Sequence, residues 1–339
     1  MNLPPLLAYY IQQTVEEFSA KELALAAENL SQRYRAATDE KTAHASGKKD
    51  VLAYVATRLP ATYAALKAVM DELIRLVPDF MPSTLLDVGA GPGTAAWAAI
   101  ENWPHLQHIS LIERERSFQE WGKTAMANSS HPALLNSRWY QHDVGHPQNV
   151  ATAAVAQQLP NNHDLVTASF LLGELSPATR QQLIEQLWQQ LCQQAQGYII
   201  IVEPGTTSGY QRILAAREQL LTLGGHVIAP CPHHLACPLP EGQWCHFSQR
   251  LNRSAVHRRL KNATLSHEDE KFSYLIISRI PPVALSPYAR VLHQPKVDKI
   301  AVSMVLCTKD GQQQKNFARR NNTLYQQAKK YDWGDSIPD

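Results

Sequence analysis

The stretch LLDVGAGPGT, Leu85 to Thr94, constrains the fold more than any other part of the chain. An apolar run of strand character leads into Asp87, then Gly89, Gly91 and Gly93, then an alanine-rich segment of helical character. Glycines at alternate positions let the backbone take positive φ and approach a ligand closely. A strand that turns straight into a helix over such a loop belongs to an α/β sheet, with its ligand beyond the carboxyl ends of the strands. Downstream, HISLIERE, SRWYQHDV, NHDLVTASFLLGEL and GYIIIVEPGT read as further strands. The last is apolar throughout, as a strand buried on both faces must be. SPATRQQLIEQLWQQLCQQAQG reads as a helix with Ser176 at the N-cap, Pro177 at N1, and Leu183, Leu187 and Leu191 along one face. Strands alternating with helices predict a doubly wound α/β domain.

The flanks differ from this core. Before residue 80 the pattern is helical. Leu23, Ala26, Ala27 and Leu30 share one face; KTAHASGKKD is a polar break; Pro60 divides the helical run that follows, in which Tyr63, Leu66, Met70, Leu73 and Val77 form a stripe. Beyond residue 250, RSAVHRRLK reads as a short basic helix and KFSYLIISR, YARVLHQP and KIAVSMVLCTKDG as strands. From Cys245 to Lys330 there are 16 Lys and Arg against five Asp and Glu, although the whole chain carries only +2. Such a basic third suits a nucleic-acid surface. No apolar run reaches the roughly 18 residues that span a bilayer. MNLPPLLAYYIQQTVEEF lacks a basic n-region and is not Arg-rich, so a cytoplasmic protein is expected.

The glycine turn fits one nucleotide-like cofactor better than another. A dinucleotide fingerprint needs its third glycine where Thr94 or Ala96 stands. The aspartate that precedes the glycines would also meet a pyrophosphate badly. The pattern instead resembles motif I of class I S-adenosylmethionine-dependent methyltransferases. Glu113, at the end of the second strand, is placed for the ribose hydroxyls, and Asp143, after the third, for the adenine amine. The expected cofactor residues are Asp87, Gly89, Gly91, Gly93, Thr94, Glu113 and Asp143. The segment after the fourth strand, ASFLLGELSP, lacks the Asn/Asp-Pro-Pro-aromatic sequence of amine methylators; Ser169 and Glu174 are polar candidates there.

Three of five cysteines fall within PCPHHLACPLPEGQWCHFSQR, residues 230–250. In a reducing compartment clustered cysteines more often hold metal than form disulfides. The spacing C-x5-C-x7-C has no close pair of the kind a zinc knuckle uses. It fits a bulkier four-cysteine [4Fe–4S] centre, with Cys231, Cys237 and Cys245 joined by Cys307 rather than by Cys192, which sits on an amphipathic helix. Zinc with His233, His234 or His246 in place of one thiolate is the alternative. Uncoordinated thiols, or a nucleophilic Cys231, are the others.

RLPATYAALKAVMDEL, LLDVGAGPGTAAWAA, VEPGT, PCPHHLACPL, WCHFSQR, LCTKDG and YDWGD, in this order, resemble the methyltransferase-like seventeen family of small-ribosomal-subunit assembly factors of mitochondria and their bacterial relatives. The resemblance runs from about residue 50 to the C-terminus. It implies a methyltransferase fold, and with the patterns above the expected organisation is an N-terminal helical region over 1–80, a Rossmann-like class I methyltransferase domain over 81–229, and a metal-bearing, strand-rich basic extension over 230–339. It also implies an iron–sulfur centre on Cys231, Cys237, Cys245 and Cys307, and action on small-subunit ribosomal RNA or its precursor particle. Mitochondrial members begin with a targeting segment; its absence here implies a bacterial cytoplasmic relative.

Two functions follow. One is an assembly factor in which Arg250, Arg253, Arg258, Arg259 and Lys261 contact RNA phosphates. The other is an active ribosomal RNA methyltransferase. A radical S-adenosylmethionine enzyme is excluded by the lack of C-x3-C-x2-C.

Overall fold

Tyr198, Ile200 and Val202 of β5 (Tyr198–Pro204) point to one side of a sheet and Ile199 and Ile201 to the other, and all five are inaccessible to solvent. This is why the strand is apolar without alternation: it is buried on both faces. The computed structural model describes residues 1–36, 47–145, 162–192, 196–281 and 289–337. The strands β1 (Thr84–Val88), β2 (His108–Glu113), β3 (Arg138–Gln141), β4 (Leu165–Ser169) and β5 lie parallel in the order 3-2-1-4-5.

The sheet does not stop at β5. The long strand β8 (His267–Ser278) runs antiparallel beside it, with Tyr198 opposite Ser278 and Pro204 opposite Phe272. On the outer edge of β8 lie β6 (His226–Ala229) and β7 (Phe247–Asn252), end to end. KFSYLIISR therefore belongs to the main sheet, not with the later strands. Its run Tyr274 to Ile277 is buried on both faces, which a small peripheral sheet does not offer.

Helices cover both faces. On one side are α1 (Pro5–Val15), α2 (Ala20–Ala36), α3 (Gly47–Thr57), α4 (Leu59–Leu76), α5 (Thr94–Asn102), α6 (Arg116–Ala127) and the short α7 (Pro132–Leu135). On the other are α8 (Pro177–Gln190) and α9 (Thr207–Thr222). Pro60 stands at the start of α4, where its missing N–H is not needed, and the expected division falls between α3 and α4. Most of the polar break lies outside the described residues; its last four residues open α3. The stripe Tyr63, Leu66, Met70 and Leu73 is buried. In α8 the Ser176 hydroxyl caps the helix by accepting from Thr179 N–H at 3.1 Å.

A second, antiparallel sheet follows the short basic helix α10 (Ala255–Leu260). Its centre is β11 (Ala301–Thr308), paired along one edge with β12 (Gly311–Ala318) and along the other with β9 (Ala289–Val291) and β10 (Lys296–Val297); β13 (Ser336–Ile337) completes it beside β9. Val302, Met304 and Leu306 face a small core closed by Tyr325 and Ala328 of α11 (Asn322–Ala328). Arg290 of β9, fully buried, ties this sheet to the rest: it pairs with Glu72 of α4 at 2.6 Å and donates to the Pro230 carbonyl at 2.9 Å.

Candidate functional site

The strand order reverses between β1 and β4, and a crevice opens beyond the carboxyl ends of strands at such a point. A cleft of about 690 Å³ lies there, within the size range of small-molecule sites. Of the expected cofactor residues, Gly89, Gly91, Glu113 and Asp143 line it. Asp87, Gly93 and Thr94 lie beneath its wall, each nearly or fully buried or packed.

The glycines divide the work. Gly91 has φ +54° and open space where a Cβ would stand, so its backbone is bare to the cleft. Gly93 has φ +83°, and a Cβ there would collide with the Met126 side chain of α6. Gly91 leaves room for a ligand, whereas Gly93 allows close helix packing.

The acids at the strand ends are already oriented by backbone. Glu113 accepts from Gly91 N–H at 2.7 Å and from Glu115 N–H at 2.8 Å, while burial pushes its carboxyl up. Each oxygen keeps a lone pair for a further donor. Asp143 accepts from Gly145 N–H at 2.8 Å. Asp87 accepts from the Thr167 hydroxyl at 2.7 Å, and burial pushes its carboxyl to about 7.

The cleft includes the polar candidates Ser169 and Glu174, and also residues the sequence did not single out. Arg114 stands within 3.5 Å of Glu115 and Glu174 and 3.9 Å from Asp143. Burial raises Glu174 to about 8, against the pull of Arg114. Glu203, at the end of β5, is fully buried, accepts from Leu172 N–H at 2.9 Å and pairs with Arg212 of α9 at 2.6 Å. A carboxylate ending an all-apolar strand was the available signal. Phe170, just after β4, holds φ +55°, unusual for a bulky residue, and lines the cleft with Ser169. Tyr54, Arg58 and Thr62 bring the N-terminal helices to the opposite wall.

Cys231, Cys237, Cys245 and Cys307 line one separate cavity of about 40 Å³. The fifth, Cys192, is not among them. It lies beyond the end of α8 rather than on the helix, and its backbone N–H donates to the His163 carbonyl at 2.9 Å. Two segments deliver the four thiols: the connection between β6 and β7 carries Cys231, Cys237 and Cys245, and β11 carries Cys307. Arg217 fixes the loop by donating to the carbonyls of His233 and Leu235 at 2.9 and 2.8 Å. Tyr210 donates to Cys237 Sγ at 3.1 Å.

The electrostatics of this cavity are unusual. Burial raises the thiols of Cys231 and Cys245, and raises Cys307 to about 12. Arg217 and Arg290 stand on the wall, and the Nε of one and an Nη of the other have no hydrogen-bond partner among the described residues. Buried thiols beside unpaired guanidinium N–H groups fit an anionic occupant that carries its own cations. A nucleophilic Cys231 is disfavoured, because burial in this cavity suppresses the thiolate and Cys231 does not line the cleft. Among the described residues no three of His, Cys, Asp and Glu are arranged around a single metal ion. His234 accepts from Val227 N–H at 3.2 Å and His246 stacks on Trp244, so neither lines the cavity; His233 Nε2 lies 3.7 Å from Cys307 Sγ.

The five basic residues of the expected RNA contact are not equivalent. Arg258 and Arg259 are exposed on α10. Arg250 is exposed but forms a two-point pair with Asp269 at 2.7 and 2.9 Å. Arg253 and Lys261 are half-buried and both held by Glu268 at 3.0 Å, with His257 at 3.2 Å.

Comparison with known proteins adds the lineage. The family described as "Mitochondrial small ribosomal subunit Rsm22" matches residues 48–338. The chain belongs to the Rsm22 family. The match takes in all four cavity cysteines and every cleft-lining residue but Ser31, and in this Rsm22-family chain it starts at α3, so α1 and α2 precede it. The human "Ribosome assembly protein METTL17, mitochondrial" is 28% identical over 301 residues, covering 85% of this chain and 62% of the human protein. The Schizosaccharomyces pombe "Rsm22-cox11 tandem protein 2, mitochondrial" is 24% identical over 340 residues, covering 85% of this chain and 43% of the yeast protein. This Rsm22-family chain thus spans less than two thirds of either relative. Among solved structures, the magnesium protoporphyrin IX methyltransferase of Synechocystis with bound S-adenosylmethionine aligns at TM-score 0.41 and 10% identity, over 76% of this chain and 97% of that one.

Proposed function

We propose that this chain is an RNA-binding assembly factor of the small ribosomal subunit, carrying S-adenosylmethionine in the cleft and a [4Fe–4S] centre on Cys231, Cys237, Cys245 and Cys307. The observation that carries it is the convergence of those four thiols on one cavity beside Arg217 and Arg290, in a chain of the Rsm22 family. The cytoplasm, a reducing compartment, is the proposed location.

The residues present fit both groups. Glu113 would hold the ribose hydroxyls through its spare lone pairs, Asp143 the adenine amine, and the backbone at Gly89 and Gly91 the amino-acid end. When bound, the cluster supplies the positive charge that keeps four buried thiols deprotonated. Arg217 and Arg290, each with a buried N–H group that has no partner on the cavity wall, would offset its net negative charge. Cys307 then ties β11, and with it the second sheet, to the loop after β6, so the centre holds the basic C-terminal part in register. Zinc on the same thiols is the alternative occupant, and metal analysis distinguishes the two.

The direct test is cosedimentation with immature small subunits. The chain should travel with precursor particles, and loss of the four thiols should release it. Free migration of intact protein in the presence of precursors overturns the proposal.

One observation favours a second reading, an active ribosomal RNA methyltransferase. Glu174, raised to about 8, is a carboxyl able to exchange a proton near neutrality, in a cleft also lined by Phe170. Transfer of labelled methyl groups to small-subunit RNA, lost in Glu113→Ala, supports this reading. No label on either naked RNA or precursor particles rejects it.

A further inference from the structure

The second sheet has two unlike faces. One is its core face, carrying Val302, Met304, Leu306 and Phe317 against α11. On the other, cross-strand partners share a side. Lys296 stands opposite Ser303, Ser303 opposite Asn316, Val305 opposite Gln314, and Cys307 opposite Gln312. This open face therefore runs from the cysteine cavity at Cys307, past three side-chain amides, to Lys296. Gln314, Asn316 and Lys296 are exposed.

At the end remote from the cavity, two turns meet. The Arg319 N–H donates to the Ile300 carbonyl at 2.7 Å, and its guanidinium reaches the Lys299 carbonyl at 3.5 Å. Lys299, Arg319 and Arg320 are exposed there around Ile300, which is 77% exposed. Among the described residues none of Lys296, Lys299, Arg319 and Arg320 is in an ion pair. The acid at that end, Asp298, accepts from Ile300 and Ala301 N–H through Oδ1 at 2.6 and 2.7 Å and stays anionic without pairing with any of the four, which leaves four cations against one carboxylate. This contrasts with Arg250, Arg253 and Lys261 near α10, whose charges are met by Asp269 and Glu268.

We propose that this open face, with Lys296, Lys299, Arg319 and Arg320 at its end, is the principal RNA-contact surface, and that it binds the ribose–phosphate backbone of a ribosomal RNA helix. The inference rests on the RNA-binding reading above and locates it. Cations held in no ion pair, in excess over the one acid beside them, answer phosphates, and amides answer 2′-hydroxyls. Phe317 of this sheet, with Tyr325 of α11, lies on the other side, so bases are not stacked here as they are on aromatic-bearing sheets. Rows of amides favour a nucleic-acid partner over a lipid surface, which offers no array of hydroxyls at fixed spacing.

The test uses the full chain and a fragment of small-subunit ribosomal RNA, with affinity measured against salt. In one variant Lys296, Lys299, Arg319 and Arg320 are all replaced by Gln; in a second, Arg258 and Arg259 are. All six are exposed, and unchanged thermal unfolding confirms the fold of each. The first variant should bind about tenfold or more weakly, with a log–log salt slope shallower by about 3 to 4, near one for each phosphate no longer neutralised. The second should change little. If the first variant binds normally and the second loses affinity, the surface is wrong and RNA binding stands. If the unaltered chain shows a flat salt plot with RNA but binds phosphatidylglycerol vesicles, both the surface and the RNA reading fail.

Discussion

Arg212 pairs with the buried Glu203 at 2.6 Å, and two residues earlier, on the other side of α9, Tyr210 donates to Cys237 Sγ at 3.1 Å. The two side chains face different sites. Thr206, Ser208 and Arg212 line the cleft, whereas Tyr210, Ile213 and Arg217 line the cysteine cavity. The N-terminal half of α9 is thus a wall common to both. A loop repeats the connection, because Trp244 Nε1 beside Cys245 donates to the Gly205 carbonyl at 3.1 Å.

Arg212→Ala should be strongly destabilising. It leaves Glu203 buried and without its cation, a change that costs about 3 kcal/mol or more. Denaturant unfolding would register the loss. Glu203→Gln, which removes the charge and keeps an acceptor for Leu172 N–H, should cost less. Equal losses in the two variants would mean that the charge of Glu203 is not what Arg212 offsets.

Gly91→Ala and Gly93→Ala should separate ligand space from packing. Both positions hold positive φ, which costs an L-residue about 1 to 2 kcal/mol. Only Gly93→Ala also drives a methyl into Met126, so it should lower the melting temperature further. Gly91→Ala should fold well yet weaken S-adenosylmethionine binding, measured by calorimetry.

Glu174 makes stability depend on pH in a definite direction. Its folded value of about 8 lies above the unfolded value of about 4.3. Between those values the folded chain keeps a proton that the unfolded chain has lost, so this group's contribution falls as pH rises through the window and levels off above 8. The stability difference between the unaltered chain and Glu174→Gln should therefore decline from about pH 4 to about pH 8. A difference independent of pH would show that Glu174 is already ionised.

Cys307→Ser should loosen the second sheet, whereas Cys192→Ser should not. Only Cys307 connects β11 to the cavity. Hydrogen exchange should speed up in β9, β11 and β12 in the first variant and remain unchanged there in the second.

Much of this was legible because the signals are local. The strand, glycine turn and helix at Leu85–Asn102 lie in one continuous stretch, and each strand of the parallel half announces itself by its own apolar run. Cys231, Cys237 and Cys245 stand out by their clustering, whereas Cys192 reads as a helix residue and, although buried, lies past the end of α8. What was not legible is pairing between distant segments. Nothing near Phe272–Ser278 indicates that it lies beside Tyr198–Pro204, and nothing near Arg253 or Lys261 shows that Glu268 takes up both charges. The partners of Arg114, and the pairing of Glu203 with Arg212, were hidden for the same reason, since the fold, not the sequence, brings these acids and bases near.

The measurement closest to the centre of this account is the metal content of the anaerobically purified chain. About four irons and four acid-labile sulfides per chain, with brown colour, are expected, and replacing any one of Cys231, Cys237, Cys245 and Cys307 should lower both while Cys192→Ser leaves them unchanged. A colourless protein with one zinc per chain, or iron retained after loss of Cys307, would contradict it.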